Sequence, residues 1–240
     1  MMAMLLAGTK KRTKEIGLRE RSKVENQDKI VMAARKLFAE LGYEATTLRQ
    51  IAADAGLGVG TLFNYIGDKR DLIYLIFNSE MESLTDKALA ATRPWQSFSA
   101  KILTITEPHY RLFGSDPLLS RILLSEILTH TPGIHLEQYL DIRSRLIRGL
   151  EDLVADALQT GEIQSTEDAK IIARSIFFAI SGALRWWLAS PDPEWRAGMR
   201  EFEKTLNIQV EGLRVSQSGA VEHKDSASSN DRAYSGKVKK

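Results

Sequence analysis

Cysteine is absent from the 240 residues, which excludes disulfides and thiolate metal sites and fits a reducing compartment. Histidine is scarce. His109, His130, His135 and His223 are scattered, and His130 and His135, five apart, do not share a helix face, so no metal and no other cofactor is expected. No period-2 run of useful length and no internal repeat occur, and Gly-rich phosphate loop, zinc signature and nucleophile elbow are all missing. The β classes and the common enzyme chemistries lose their basis, so an enzyme is not expected. Long apolar runs are nearly absent as well. Residues 171–189 approach the roughly 20 needed to span a bilayer, but Arg174 and Arg185 interrupt them. Lys170, Arg174, Ser181 and Arg185 fall on one narrow stripe of a helix, and each Arg near a bilayer centre costs roughly 2.5–3.5 kcal/mol. A helix buried between helices is expected, with no membrane partner. The opening "MMAMLLAGTKKR" puts its basic residues after a very short apolar run, the reverse of a signal peptide. A cytoplasmic location is the expectation.

What is present is 43% apolar content, enough to bury a real core, and an uneven charge beneath a net +2. Residues 1–78 hold 13 Lys+Arg against 9 Asp+Glu, whereas 79–214 hold 15 against 19. "KKRTKEIGLRERSK" concentrates much of the positive charge ahead of the first regular helix. Residues 1–23 read as a basic, flexible arm suited to phosphate contact, or simply as a solvated leader.

"SKVENQDKIVMAARKLFAELGYE" opens with Ser22 and Glu25 at capping-box spacing, carries Ile30, Ala34, Leu37, Phe38 and Leu41 on one face, and closes at Gly42. A second helix starts at Thr47 with Gln50 three residues on, and ends at Gly56. A third, about Val59 to Ile66, begins after Gly58 and stops at Gly67. A fourth opens at Asp68 with Asp71, turning Leu72, Leu75 and Ile76 inward. Beyond Pro94 nearly everything reads helical up to 214, and 215–240 is polar, Ser/Lys-rich and read as a disordered tail. The fold class is all-α.

Isolated helices below about 12–15 residues are marginal in water, so the two short helices within 47–66 need a reason to exist. Joined by a tight Gly-containing turn and braced by longer helices, they make a helix-turn-helix. A helix about 10–12 Å across matches a major groove about 12 Å wide, and only its first turns must reach base edges. An ordinary helical corner would share this geometry.

The residues favour the first reading. "AARKLFAELGYEATT" and "IAADAG…GTLFNYI…DK" resemble, nearly throughout, the DNA-binding motif of the TetR (TetR/AcrR-like) family of bacterial transcription regulators. The likeness covers about residues 24–84, taken as the DNA-binding domain, with 85–214 as a helical ligand-binding and dimerisation domain. It implies that Thr47 offers a hydroxyl and amide to a phosphate and that Arg49 points towards the groove. It implies too that Val59, Gly60, Thr61, Phe63 and Asn64 face DNA, that Leu62 turns inward, and that Tyr65 and Lys69 grip the backbone. The chain departs from the family pattern with Gly58 for Ser, Val59 for a polar residue, Phe63 for Tyr, and Ile66–Gly67 for Phe and a polar residue.

One such unit reads half a site, so two copies must sit about 34–36 Å apart on a palindromic operator in double-stranded DNA. The family pairs its last two helices for this, which here implies a homodimer through Ile172, Ile176, Phe177, Ala179, Gly182, Ala183, Trp186 and Trp187. Trp195, Met199, Phe202 and Leu206 would join them, although an intrachain core would use the same residue types. The family also holds an effector among its middle helices. Trp95, Phe98, His109, Tyr110 and Phe113 are the candidates here, with Tyr139 and Arg143 as polar contacts. The expected function is a repressor released by a small, largely apolar effector of unknown identity; a helical adaptor without DNA binding is the alternative.

Overall fold

The computed structural model describes residues 18–129 and 133–214; the arm over 1–17, the tail 215–240, His130 and His223 lie outside the described residues. Among the described residues the regular structure is nine α-helices: α1 (Leu18–Leu41), α2 (Leu48–Asp54), α3 (Val59–Leu62), α4 (Lys69–Ala90), α5 (Phe98–Ser115), α6 (Pro117–Thr129), α7 (Leu136–Thr160), α8 (Ala169–Leu188) and α9 (Trp195–Arg214).

Helix α1 starts four residues before the expected cap at Ser22, so part of the expected flexible arm is helix. Glu20 and Arg21 favour helix as much as the residues after Ser22 do, and the short Ser22/Glu25 signal does not halt propagation. At the other end Gly42 takes φ 83°, and its amide donates to the Phe38 carbonyl at 3.0 Å. Helix α3 is regular over four residues rather than the eight expected. Past Leu62 the chain tightens, with Asn64 N–H donating to Thr61 O and Tyr65 N–H to Leu62 O, three residues back.

The sequence pattern gives α4 one buried face. Instead Leu72, Ile73, Tyr74, Leu75, Ile76 and Phe77 are all buried, because α1, α5, α6 and α7 all pack on it. The expected domain boundary at residue 84 falls inside this helix, which serves both parts. The remainder packs α7 along α8, α8 along α9, and α9 against α5. At Gly198 a Cβ would lie 2.6 Å from the Trp187 ring and 2.8 Å from the Tyr110 ring, so only glycine lets α9 come this close. Helix α8 has the length and hydropathy of a membrane span. In this fold its Ile172, Ala173, Ile176, Ile180, Leu184 and Leu188 are buried, and α7 and α9 pack along it.

Candidate nucleic-acid interface and ligand cavity

The helix-turn-helix is held from behind. Ile51, Ala52, Leu62 and Ile66 are fully buried against α1 and its surroundings. Thr47 closes a capping box: Gln50 N–H donates to its Oγ1 at 3.3 Å, while its own amide donates to Gln50 Oε1 at 2.8 Å. Gly56 takes φ 68°, which turns the chain between α2 and α3. Val59, Gly60, Phe63 (50% exposed) and Asn64 are left in solvent, with Thr61 half-buried and Arg49 projecting from α2. Tyr65 Oη accepts a hydrogen bond from Asn26 Nδ2 at 3.0 Å, so its own proton remains able to donate.

Lys69 is engaged within the motif itself. Its ammonium donates to the carbonyls of Tyr43 (2.8 Å), Glu44 (3.2 Å) and Thr46 (3.3 Å), and lies 4.4 Å from the centroid of the Tyr43 ring. An ammonium has three donors, and all are spent on the α1–α2 turn. In the free protein the side chain braces the motif.

A cavity of about 270 Å³ opens among α4, α5, α6, α7 and α8. Of the expected residues, His109, Phe113, Tyr139 and Arg143 line it. Trp95 does not: it is 81% exposed in the α4–α5 connection, where nothing covers it. Nor do Phe98 and Tyr110, which are core. Phe98 is fully buried, and the Tyr110 ring sits 4.9 Å from Trp187 and 6.2 Å from Phe202 on the far side of α5. Periodicity alone does not tell which face of α5 meets the void. His109 Nδ1 lies 2.8 Å from the Ile105 carbonyl, which can only accept, so the proton is on Nδ1 and Nε2 is left to accept from the Thr85 hydroxyl at 3.3 Å. Burial lowers the His109 pKa and keeps the ring neutral. Burial likewise pushes the Tyr139 phenol up to about 12, so it stays protonated and able to donate. Ser181 and Arg185 also line the cavity. Their stripe is legible in the sequence, but only as a reason against a membrane span.

The expected dimer residues scatter over several environments. Ile172, Ile176, Trp187, Phe202 and Leu206 are buried within the chain, and Phe177 lines the cavity. Ala179 and Ala183 on α8, and Trp195 and Met199 on α9, are half-buried. Outward lie Gly182 and Trp186 (72% exposed), together with Ile171, Phe178 (66%) and, on α9, Ile208 (71%). The last three escape a sequence reading because α9 and α7 cover the apolar faces that look richest there.

The model of the bacterial regulatory proteins of the tetR family matches residues 30–74, the stretch that builds this helix-turn-helix. That stretch is the family's DNA-binding unit, and with the relatives it supports a DNA-binding transcription regulator of the TetR family. Among its relatives, the fatty acid metabolism regulator protein of Bacillus subtilis is 22% identical over 160 residues, 66% of this chain and 81% of that one. The regulator HbdR of Aromatoleum sp. is 39% identical over 59 residues, covering 25% of this chain and 26% of its own. Among solved structures, Bacillus subtilis FadR in complex with stearoyl-CoA superposes with a TM-score of 0.62 at 20% identity, covering 78% of this chain and 98% of that one. Thermus thermophilus FadR in complex with lauroyl-CoA gives 0.59 at 21%, covering 81% and 98%. These structural likenesses show a shared fold.

Proposed function

We propose that this TetR-family regulator is a cytoplasmic homodimeric repressor of a palindromic operator, released when a long-chain acyl thioester such as an acyl-CoA enters the cavity. The observation that carries the DNA half is the solvent-facing side of α3 and of the turn after it, Val59, Gly60, Phe63 and Asn64, whose back is locked by Leu62 and Ile66. Two features support the effector class. The cavity wall is almost wholly apolar, with Met81, Ile105, Phe113, Leu124, Ile127, Ile142 and Leu146, which suits an acyl chain. At its edge Arg143 and Arg185 make no hydrogen bond or ion pair with any other described residue. Guanidinium groups without a partner among the described residues, beside an apolar void, suit an anionic head carrying phosphate or carboxylate. The relatives solved with stearoyl-CoA and lauroyl-CoA support the same class.

Selection from random duplex DNA, with titration of the enriched complex by lauroyl-CoA, lauric acid and coenzyme A, tests both halves. Enrichment of a two-fold symmetric sequence, and its release by lauroyl-CoA but not by coenzyme A, is expected. Replacing Asn64 by Ala should change which bases are enriched, since base-edge contacts carry the sequence information. Arg143→Gln with Arg185→Gln should weaken release and leave DNA binding intact. No enriched duplex would refute the DNA half; release by none of the three ligands would refute the effector class.

A further inference from the structure

The end of the recognition unit is tied to the other part of the molecule through Asp71 and His135. Asp71, 2% exposed in the first turn of α4, accepts from Gly67 N–H through Oδ2 at 2.9 Å. Its Oδ1 accepts from the amide of His135, at the N-terminus of α7, at 2.8 Å. The imidazole of His135 reaches in the same direction: Nε2 lies 2.8 Å from the Tyr65 carbonyl, which can only accept, so Nε2 carries the proton. The His135 carbonyl in turn accepts from Asn78 Nδ2 at 2.8 Å. One carboxylate and one imidazole thus tie Tyr65 and Gly67, the chain leaving α3, to the start of α7.

The local backbone is shaped for this tie. A Cβ on Gly133 would lie 2.6 Å from Asp71 Oδ1, so a side chain there would drive the segment off the carboxylate. His135 occupies the position that caps α7, yet its side chain caps nothing and is directed to Tyr65 instead. Both groups are buried, where a hydrogen bond is not traded against water and its loss leaves an unpaired polar atom. On α7, Tyr139, one turn beyond His135, lines the cavity.

We propose that Asp71 and His135 act as positioning residues for DNA recognition. They clasp the exit of α3 to α7, fix the angle of the recognition helix in each protomer, and so set the half-site separation that the dimer accepts. The clasp rests on the DNA-binding reading and extends it to residues remote from the DNA-facing surface. A half-site moved by one base pair shifts about 3.4 Å along the axis and turns with the helix. A rigid pair of recognition helices therefore rejects it, and a loosened pair tracks it.

The test compares affinities of the full chain for the selected operator with those for operators carrying one base pair inserted or removed at the centre. For the unaltered protein a preference of about tenfold or more for one spacing is expected, on the order of a lost base-pair contact. His135→Ala, which removes the Nε2–H donor, should bring that preference below about threefold while the protein remains folded and dimeric. His135→Gln presents an amide N–H at the corresponding position and should restore it. Simple destabilisation would lower affinity for all spacings alike, leaving the ratios unchanged. Unchanged ratios in both His135→Ala and Gly133→Ala would overturn the clasp while leaving DNA binding intact. Failure of the unaltered chain to enrich any duplex would instead overturn the DNA-binding reading, and the clasp with it.

Discussion

At the scale of single residues, the ammonium of Lys69 has partners in the free protein that a sequence motif does not reveal. Its three donors are taken by the carbonyls of Tyr43, Glu44 and Thr46, so removing it should be felt as stability before it is felt as affinity. Hydrogen bonds involving a charged group contribute about 1.5–3 kcal/mol each to stability, but with the side chain 24% exposed water replaces part of that. Lys69→Met should therefore lower the melting temperature by several degrees, at about 2–4 °C per kcal/mol for a chain of this size. Calorimetry checks this; an unchanged melting temperature together with lost DNA affinity would return Lys69 to the phosphate backbone. His109 makes a pH prediction. Burial holds its pKa below the ordinary 6.5, so the unfolded chain binds more protons there than the native one. Stability should fall as pH drops below about 6.5, and stop falling once the folded pKa is passed. In His109→Gln that part of the dependence should vanish, as thermal melts at pH 7 and pH 5 would show.

Elements are where burial sorts residues that look alike in sequence. Helix α8 carries apolar residues around most of its circumference, and only packing against α7 and α9 decides which remain outside. Those are Ile171, Phe178 and Trp186. Trp186→Asp should give a folded monomer in sedimentation at concentrations where the parent is a dimer, because no intrachain core is disturbed. Ile176→Ala, fully buried, should instead cost about 2–5 kcal/mol of stability. Were Trp186→Asp to stay dimeric, this face of α8 would not be the interface. Helix α3 makes the complementary case. Its four regular residues hold no stability of their own, and they stay helical because Leu62 and Ile66 are anchored while the turn at Gly56 sets the chain's direction into α3.

For the whole molecule, the relevant quantity is the coupling between cavity and DNA. Helices α4 and α7 both carry cavity-lining residues, Met81 and Thr85 on one, Tyr139, Ile142 and Arg143 on the other, and both meet the exit of α3 at their N-terminal ends. A coupling of about 1–3 kcal/mol is typical, which is 5–150-fold in affinity, and it must be reciprocal. Saturating lauroyl-CoA should weaken operator binding by such a factor, and operator should weaken lauroyl-CoA binding by the same factor in paired titrations. Operator affinity should also fall with salt at a log–log slope near −0.9 per phosphate neutralised. A flat salt response would contradict contact with the DNA backbone.

The sequence by itself determined the all-helical class, the caps at Thr47 and Asp68, the glycine stop at Gly42 and the helix-turn-helix spacing, since these depend on neighbours within a few residues. It also pointed to the TetR family, because the motif that carries the likeness is contiguous. Tertiary structure alone decided which side of α5 borders a void, which stripe of α8 stays outside, that Lys69 turns inward, and that Asp71 meets His135 across 64 positions. Those outcomes depend on surfaces distant in the chain, and periodicity records that a face is apolar without recording what covers it.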